Sequence, residues 1–162
     1  MEKAFLLVAN RLLVEKSNYV AEYQEKFLPL IADTSSLEEK LSELLAVYNE
    51  MVDEAEELVK SNAARAQDQA EYQKRFDSLA SKIKAKTDEI DATEKEISYA
   101  TVRKENARIF IDALQGTDSL LQKFDIALWH RLVDYVTVTP DKELIFHLRS
   151  GREMTISLGD VH

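Results

Sequence analysis

The sequence predicts a mainly α-helical protein with a small β meander: an antiparallel coiled-coil hairpin projecting from a small α+β base. Three observations predict it. Two stretches of seven-residue apolar repeats flank a short break near Asn62. Helix breakers are scarce, with 3 Gly and 2 Pro in 162 residues, while 31% of residues are charged, a composition suited to long helices. Beyond Tyr135 the apolar period switches to two, the period of a half-buried strand. The base is assigned to residues 1–32 and 99–162, and the hairpin to residues 33–98.

The first helix is expected over about Lys3 to Ile31. Phe5, Val8, Leu12, Tyr19, Tyr23, Phe27 and Leu30 recur mostly at three and four residues, as one buried helical face requires. Pro29 should end or kink the helix one turn earlier, because proline lacks an amide hydrogen and clashes with the preceding turn.

Asp33-Thr34-Ser35-Ser36 is a helix start signal. Ser35 with Glu38, or Ser36 with Glu39, makes a capping box. Leu37, Leu44, Met51 and Leu58 then recur at seven, interleaved with Leu41, Tyr48 and Ala55. This is the seam of a coiled coil. Ser61-Asn62-Ala63-Ala64 is the weakest helical point, and a tight turn is placed near Lys60–Asp68.

Beyond the turn, Phe76, Ile83, Ile90 and Ile97 form one series, and Tyr72, Leu79, Lys86, Thr93 and Ala100 the other. Lys86 and Thr93 weaken the seam while helping to fix its register. Arms of about 25–30 residues reach roughly 40 Å at the helical rise. The competing arrangement is one continuous helix in an oligomeric coiled coil.

The third helix continues through Val102, Ile109, Phe110, Ala113 and Leu114 and ends at Gln115-Gly116, with Gly116 as a left-handed cap. Leu120, Leu121 and Phe124 lead to a short helix near Ile126–Asp134 carrying the single Trp. Val136 and Val138, then Leu144, Phe146 and Leu148, then Met154, Ile156 and Leu158 alternate with polar or outward residues. Turns at Pro140-Asp141-Lys142 and Ser150-Gly151 join them into a meander. So small a sheet needs helices over its apolar face.

Chemistry is sparse. Cys is absent, which removes disulfides, thiolate catalysis and Cys-built zinc sites and fits a cytosolic protein. The apolar run at Phe5–Val8 is too short for a signal peptide, and no stretch approaches a membrane span; a soluble protein is expected. Of the three His, His130 lies beside Trp129, His147 on the middle strand and His162 at the end, and none has a second ligand at metal spacing.

Neither a nucleophile elbow nor a Gly-rich phosphate loop occurs. No catalytic residue, metal site or cofactor is assigned. Glu54, Glu56 and Glu57, and likewise Asp88, Glu89 and Asp91, read as solvated helix faces. Trp129, with Leu128, Leu132 and Val133, reads as a core anchor ahead of an interface residue.

The net charge of −9 is unevenly placed. Residues 33–98 hold 17 acids against 9 bases, and the remainder 13 against 12. An acidic hairpin avoids DNA, itself a polyanion, and points to a protein partner. Arg103, Lys104 and Arg108 form the only modest basic group. Salt bridging along the helix is the plain reading of them, and contact with DNA phosphate the alternative.

Three blocks together resemble the carboxy-terminal part of the large serine recombinases of bacterial mobile elements. Ala4-Phe5 with Asn10-Arg11-Leu12-Leu13 is similar to the segment after that family's zinc ribbon. Asp68-Gln69, Tyr72 and Phe76 look like its second coiled-coil arm. Phe124-Asp125, Leu128-Trp129, Leu132-Val133, Val136, Val138, Phe146 and Gly151 resemble its closing element. The resemblance implies a serine catalytic domain, a recombinase domain and a Cys-zinc ribbon elsewhere, with a hairpin that joins recombinase dimers and helps set direction.

This chain has neither a catalytic domain nor zinc Cys. It therefore reads as a fragment, the remainder of the zinc-ribbon-type domain plus the hairpin, that neither cuts DNA nor holds zinc. The implied partners are other recombinase subunits and a directionality factor in the bacterial cytoplasm. Weak homo-oligomerisation is allowed, and DNA is held by the absent domains.

The expected function is thus non-catalytic protein–protein contact in synapsis, through the tip residues Leu58, Val59, Asn62 and Arg65. Leu58→Asp should then reduce synapsis while sparing single-site DNA binding. The alternative is a free-standing coiled-coil oligomerisation adaptor using both seams. A third reading, DNA binding by the terminal sheet, is opposed by the charge.

Overall fold

A computed structural model of the chain describes residues 1–27, 29, 33–65, 68–157 and 159. The fold is mainly helical, with two long antiparallel helices packed together and a three-stranded antiparallel sheet towards the carboxy terminus. The elements are α1 (Glu2–Val14), α2 (Lys16–Glu22), a π-turn (Tyr23–Phe27), α3 (Ser35–Ala64), α4 (Gln69–Gln115), α5 (Ile126–Leu132), β1 (Val133–Val138), β2 (Glu143–Leu148) and β3 (Glu153–Ser157). They form two compact units, Met1–Asp33 with Ala100–His162, and Thr34–Tyr99.

In the first unit the strand order is β1-β2-β3. Its core joins Phe5, Val8 and Leu12 of α1 to Phe110 and Leu114 of α4, Leu132 of α5 and Phe146 of β2, all nearly inaccessible. Trp129 anchors this core from its edge. Its ring lies 5.1 Å from Phe5, 5.9 Å from Phe124 and 5.9 Å from Phe146, in the tilted and edge-on geometries that aromatic quadrupoles favour. Arg149 ties sheet to helices, donating to the His130 carbonyl at 2.7 Å and to Asn106 Oδ1 at 2.8 Å.

The single helix predicted over Lys3 to Ile31 is instead broken at Glu15, where φ is −97° and ψ 10°. The Glu15 carbonyl accepts both the Asn18 and the Tyr19 amides. Ser17 and Asn18, weak helix formers, follow the break. The spacing of seven from Leu12 to Tyr19 suits a continuous helix, so the apolar pattern carried no sign of it. A π-turn stands one turn before Pro29, where the proline kink was placed. Leu30 and Ile31 lie outside the described residues.

At the end of α4, Gly116 is not left-handed; among the described glycines only Gly151 has a positive φ. The Gly116 amide simply continues the helical pattern to the Asp112 carbonyl at 2.9 Å. Thr117 does the capping. Its hydroxyl donates to the Ala113 carbonyl at 2.8 Å and its amide to Leu114. The carbonyl of Thr117 in turn accepts Lys16 Nζ at 3.0 Å.

The Trp helix stops at Leu132, not Asp134, and β1 begins at once. Asp125 caps the helix, accepting the Leu128 amide at 2.9 Å. The register of β1 shifts between Val133, opposite Leu148, and Tyr135, opposite His147. This bulge at Asp134 puts Val133 and Val136 on one face although they stand three positions apart. Val138 shares that face by register but is 61% exposed. In β2, Leu144, Phe146 and Leu148 are buried as their alternation predicted. Leu158 lies outside the described residues.

The hairpin unit follows the predicted seam residue by residue. On α3, Leu37, Leu41, Leu44, Tyr48, Met51, Ala55 and Leu58 are buried or half-buried. On α4, Tyr72, Phe76, Leu79, Ile83, Lys86, Ile90, Thr93 and Ile97 are. The two seams are used against each other within one chain, which replaces the single continuous helix as the arrangement.

Thr93 is the most buried of them, at 1% exposure. Its hydroxyl donates to the Glu89 carbonyl one turn back at 2.9 Å, so no polar atom is stranded in the seam. Lys86 lays its stem along the seam and carries its ammonium out to Glu89 at 2.9 Å.

The hairpin's caps differ from expectation by one residue. Thr34, not Ser35 or Ser36, precedes the first helical residue. Its carbonyl accepts the Glu38 amide at 2.9 Å and its hydroxyl donates to the Glu38 carboxylate at 2.7 Å. Beyond Ala64, Arg65 is extended. Asp68 opens α4 by accepting the amides of Ala70 and Glu71 at 2.9 and 3.3 Å. Residues 66 and 67 of the predicted turn lie outside the described residues.

Candidate functional site: the tip and flanks of the hairpin

The four predicted tip residues do not form one patch. Leu58 is half-buried and belongs to the seam. Val59, the next residue, is 46% exposed. Asn62 is half-exposed and accepts Gln69 Nε2 at 3.1 Å across the turn, joining the ends of the two arms. Arg65 is exposed in the connection. Leu58→Asp would therefore disturb packing, and Val59 is the cleaner probe of the surface.

Leu58 and Val59 face different flanks. Heptad geometry gives a two-helix seam two edges. Along one runs a groove of about 610 Å³ with Glu54, Glu57, Arg75 and Lys82 around Leu58 and Leu79. Mixed charge lines it, so water and ions compete well for that edge. Along the other runs a shallow groove of about 370 Å³ between Val52, Ala55 and Val59 of α3 and Ile83 of α4, edged by Glu56 and Lys60. Its walls are almost wholly apolar.

The apolar edge has a sequence basis. Leu45, Val52 and Val59 recur at seven, each one position after a seam residue. Leu45 is 40% exposed and Val52 half-buried. By the same spacing Ala80 and Thr87, both exposed, fall on the facing edge of α4. Their side chains are short and leave the groove open.

The acidic clusters lie on exposed helix faces and are paired in part. Glu56 and Glu57 meet Lys60 at 3.6 and 3.1 Å, Asp88 meets Lys84 at 3.0 Å, and Glu89 meets Lys86. In the basic group, Arg108 is held between Glu105 and Asp112 at 2.6 and 2.8 Å. Hydrogen bonding from Arg108 holds the Glu105 carboxyl below the usual carboxylate range, and Glu105 in turn pushes the Arg108 guanidinium up. Arg108 is thus engaged within its own helix. Arg103 and Lys104 are exposed beside it.

The remaining chemistry is on the outer face of the sheet, which sequence reasoning did not single out. His147 stacks on Tyr135 with ring centroids 4.0 Å apart. Its Nε2 lies 3.1 Å from Thr137 Oγ1 and its Nδ1 3.0 Å from Glu153 Oε1. The register places Ile145 and Thr155 on the same face. Among the described residues that the register places on that face, none is Lys or Arg.

His130 is exposed, and His162 lies outside the described residues. Among the described residues no group of three His, Cys, Asp or Glu is placed to hold a metal, and no helix is long and apolar enough to cross a membrane. No family model, curated protein or solved structure matches this chain.

Proposed function

We propose that this chain is the non-catalytic carboxy-terminal part of a serine site-specific recombinase, and that its hairpin makes protein–protein contact during synapsis. The aligned apolar series Leu45, Val52 and Val59, with Leu45 and Val59 exposed and Val52 half-buried, on a largely charged hairpin carries the contact reading. Scattered surface apolar residues need no explanation, but an aligned strip marks an interaction site. The concentration of acids in residues 33–98 turns this arm away from DNA. The recombinase assignment rests on the three sequence blocks.

The coding sequence upstream tests that assignment. An open frame continuous with a serine catalytic domain and a Cys-bearing zinc ribbon is expected. An in-frame stop codon directly ahead of Met1 overturns it and leaves a free-standing adaptor. With both seams spent inside one chain, such an adaptor would work through the hairpin edge and not through the seams.

A further inference from the structure

We propose that the apolar edge of the hairpin is the docking groove for a basic amphipathic helix of another protein. This deepens the contact reading above, on which it rests, by naming the edge used and the chemistry of the partner.

The strip from Leu45 through Val52 to Val59 covers fourteen residue steps of α3, or about 21 Å at the helical rise. It is straight because its period of seven matches that of the seam beside it. A third helix laid along such an edge meets apolar side chains at every second turn and the short Ala80 and Thr87 on the far wall. The opposite edge, with Glu54, Arg75 and Lys82, offers no such continuity.

Charge selects among occupants. The two lysines nearest the strip are already neutralised within the chain, Lys60 by Glu56 and Glu57, and Lys84 by Asp88. Asp53, Asp77, Asp91 and Glu94 are exposed on the neighbouring helix positions, with Lys95 an exposed base beside Glu94. The edge is therefore apolar at its centre and acidic at its rim. The hairpin of a second copy, with 17 acids and 9 bases in residues 33–98, would bring another net charge of −8 against it, and like-charge apposition opposes association. A helix with an apolar stripe and basic flanks satisfies both centre and rim.

The test is titration calorimetry on the full chain with a synthetic peptide of three heptads, Leu at its seam positions and Lys elsewhere. An otherwise identical peptide with Glu for Lys, and the variants Val52→Asp, Val59→Asp and Val47→Asp, serve as comparators. Val47 is 39% exposed and its heptad position puts it on the other edge. Circular dichroism establishes that each variant keeps its helix content.

The expected result is salt-sensitive binding of the Lys peptide, none of the Glu peptide, at least about a tenfold loss in Val52→Asp or Val59→Asp, and little change in Val47→Asp. Absent binding, or binding indifferent to Val52 and Val59, overturns the proposal. Self-association of the chain that Val52→Asp abolishes overturns it in favour of a second copy. These results are separable from the recombinase assignment, which the upstream coding sequence decides alone.

Discussion

Asn10 and Leu121 form a reciprocal pair. The Asn10 carboxamide accepts the Leu121 amide at 2.7 Å and donates to the Leu121 carbonyl at 3.0 Å. One side chain thus replaces a strand partner for an irregular segment 111 residues away in sequence. It pins the connection between α4 and α5 to α1, beside the aromatic cluster of Phe5, Phe124 and Trp129. Asn10 belongs to one of the blocks that carry the family resemblance, and within this fold its work is structural.

Asn10→Ala should strand both backbone groups of Leu121 and lower stability by about 1–3 kcal/mol. Asn10→Asp keeps the acceptor and loses the donor, so it should fall between Ala and wild type. Urea denaturation of the three proteins checks the order. Equal midpoints would remove the pair from the account of how this loop is held.

Thr93→Val should be neutral or stabilising by up to about 1 kcal/mol. The hydroxyl is surplus to the backbone, since the carbonyl it contacts already serves the helix ladder, and the methyl group suits a buried seam. Ile90→Ala, by contrast, should cost about 2–5 kcal/mol, because Ile90 is 8% exposed at a neighbouring seam position. Thermal melts separate the two. A marked loss in Thr93→Val would mean that the hydroxyl fixes register.

The two left-handed residues of the meander should respond in opposite directions. Gly151 has φ 84° with open space where a Cβ would stand, and Lys142 has φ 60°. Gly151→Ala should cost about 1–2 kcal/mol through conformation alone, and Lys142→Gly should recover about 1 kcal/mol. Melting temperatures moving the same way would refute the turn geometry.

Tyr23 should shape the alkaline limb of stability. Burial first, then the nearby Asp112 carboxylate, pushes its phenol up. A group raised in the folded state stabilises fully below its unfolded value, near 10, and that contribution fades as pH rises through the folded value. Tyr23→Phe should therefore flatten the decline above about pH 10. At neutral pH it should be nearly neutral, because the buried hydroxyl has no hydrogen-bond partner among the described residues. An unchanged alkaline limb would contradict the burial of this phenol.

How much was legible varied with the kind of signal. The hairpin seam was fully legible, because a seven-residue period reports directly on burial when two helices pack along their length. The same period hid the apolar edge. Leu45, Val52 and Val59 each stand one place after Leu44, Met51 and Leu58, so they read as excess hydrophobicity of the seam until the exposure of Leu45 and Val59 separated them.

The Asp68 cap was readable in Asp68-Gln69-Ala70-Glu71 and was passed over for the turn as a whole. The break at Glu15 and the bulge at Asp134 were not readable. Each stands beside a contact made only in the folded chain, Lys16 with the Thr117 carbonyl and Val133 opposite Leu148. The His147 cluster likewise arises only when three strands are in register.

The most direct test of the central claim, that the hairpin edge is a contact surface, is synapsis by the serine recombinase to which this chain is proposed to belong, carrying Val59→Asp. Val59 is exposed and outside the seam, so the fold should survive. The expected result is loss of paired-site complexes with single-site DNA binding unchanged. Synapsis at wild-type level, with the variant confirmed as folded, would contradict it.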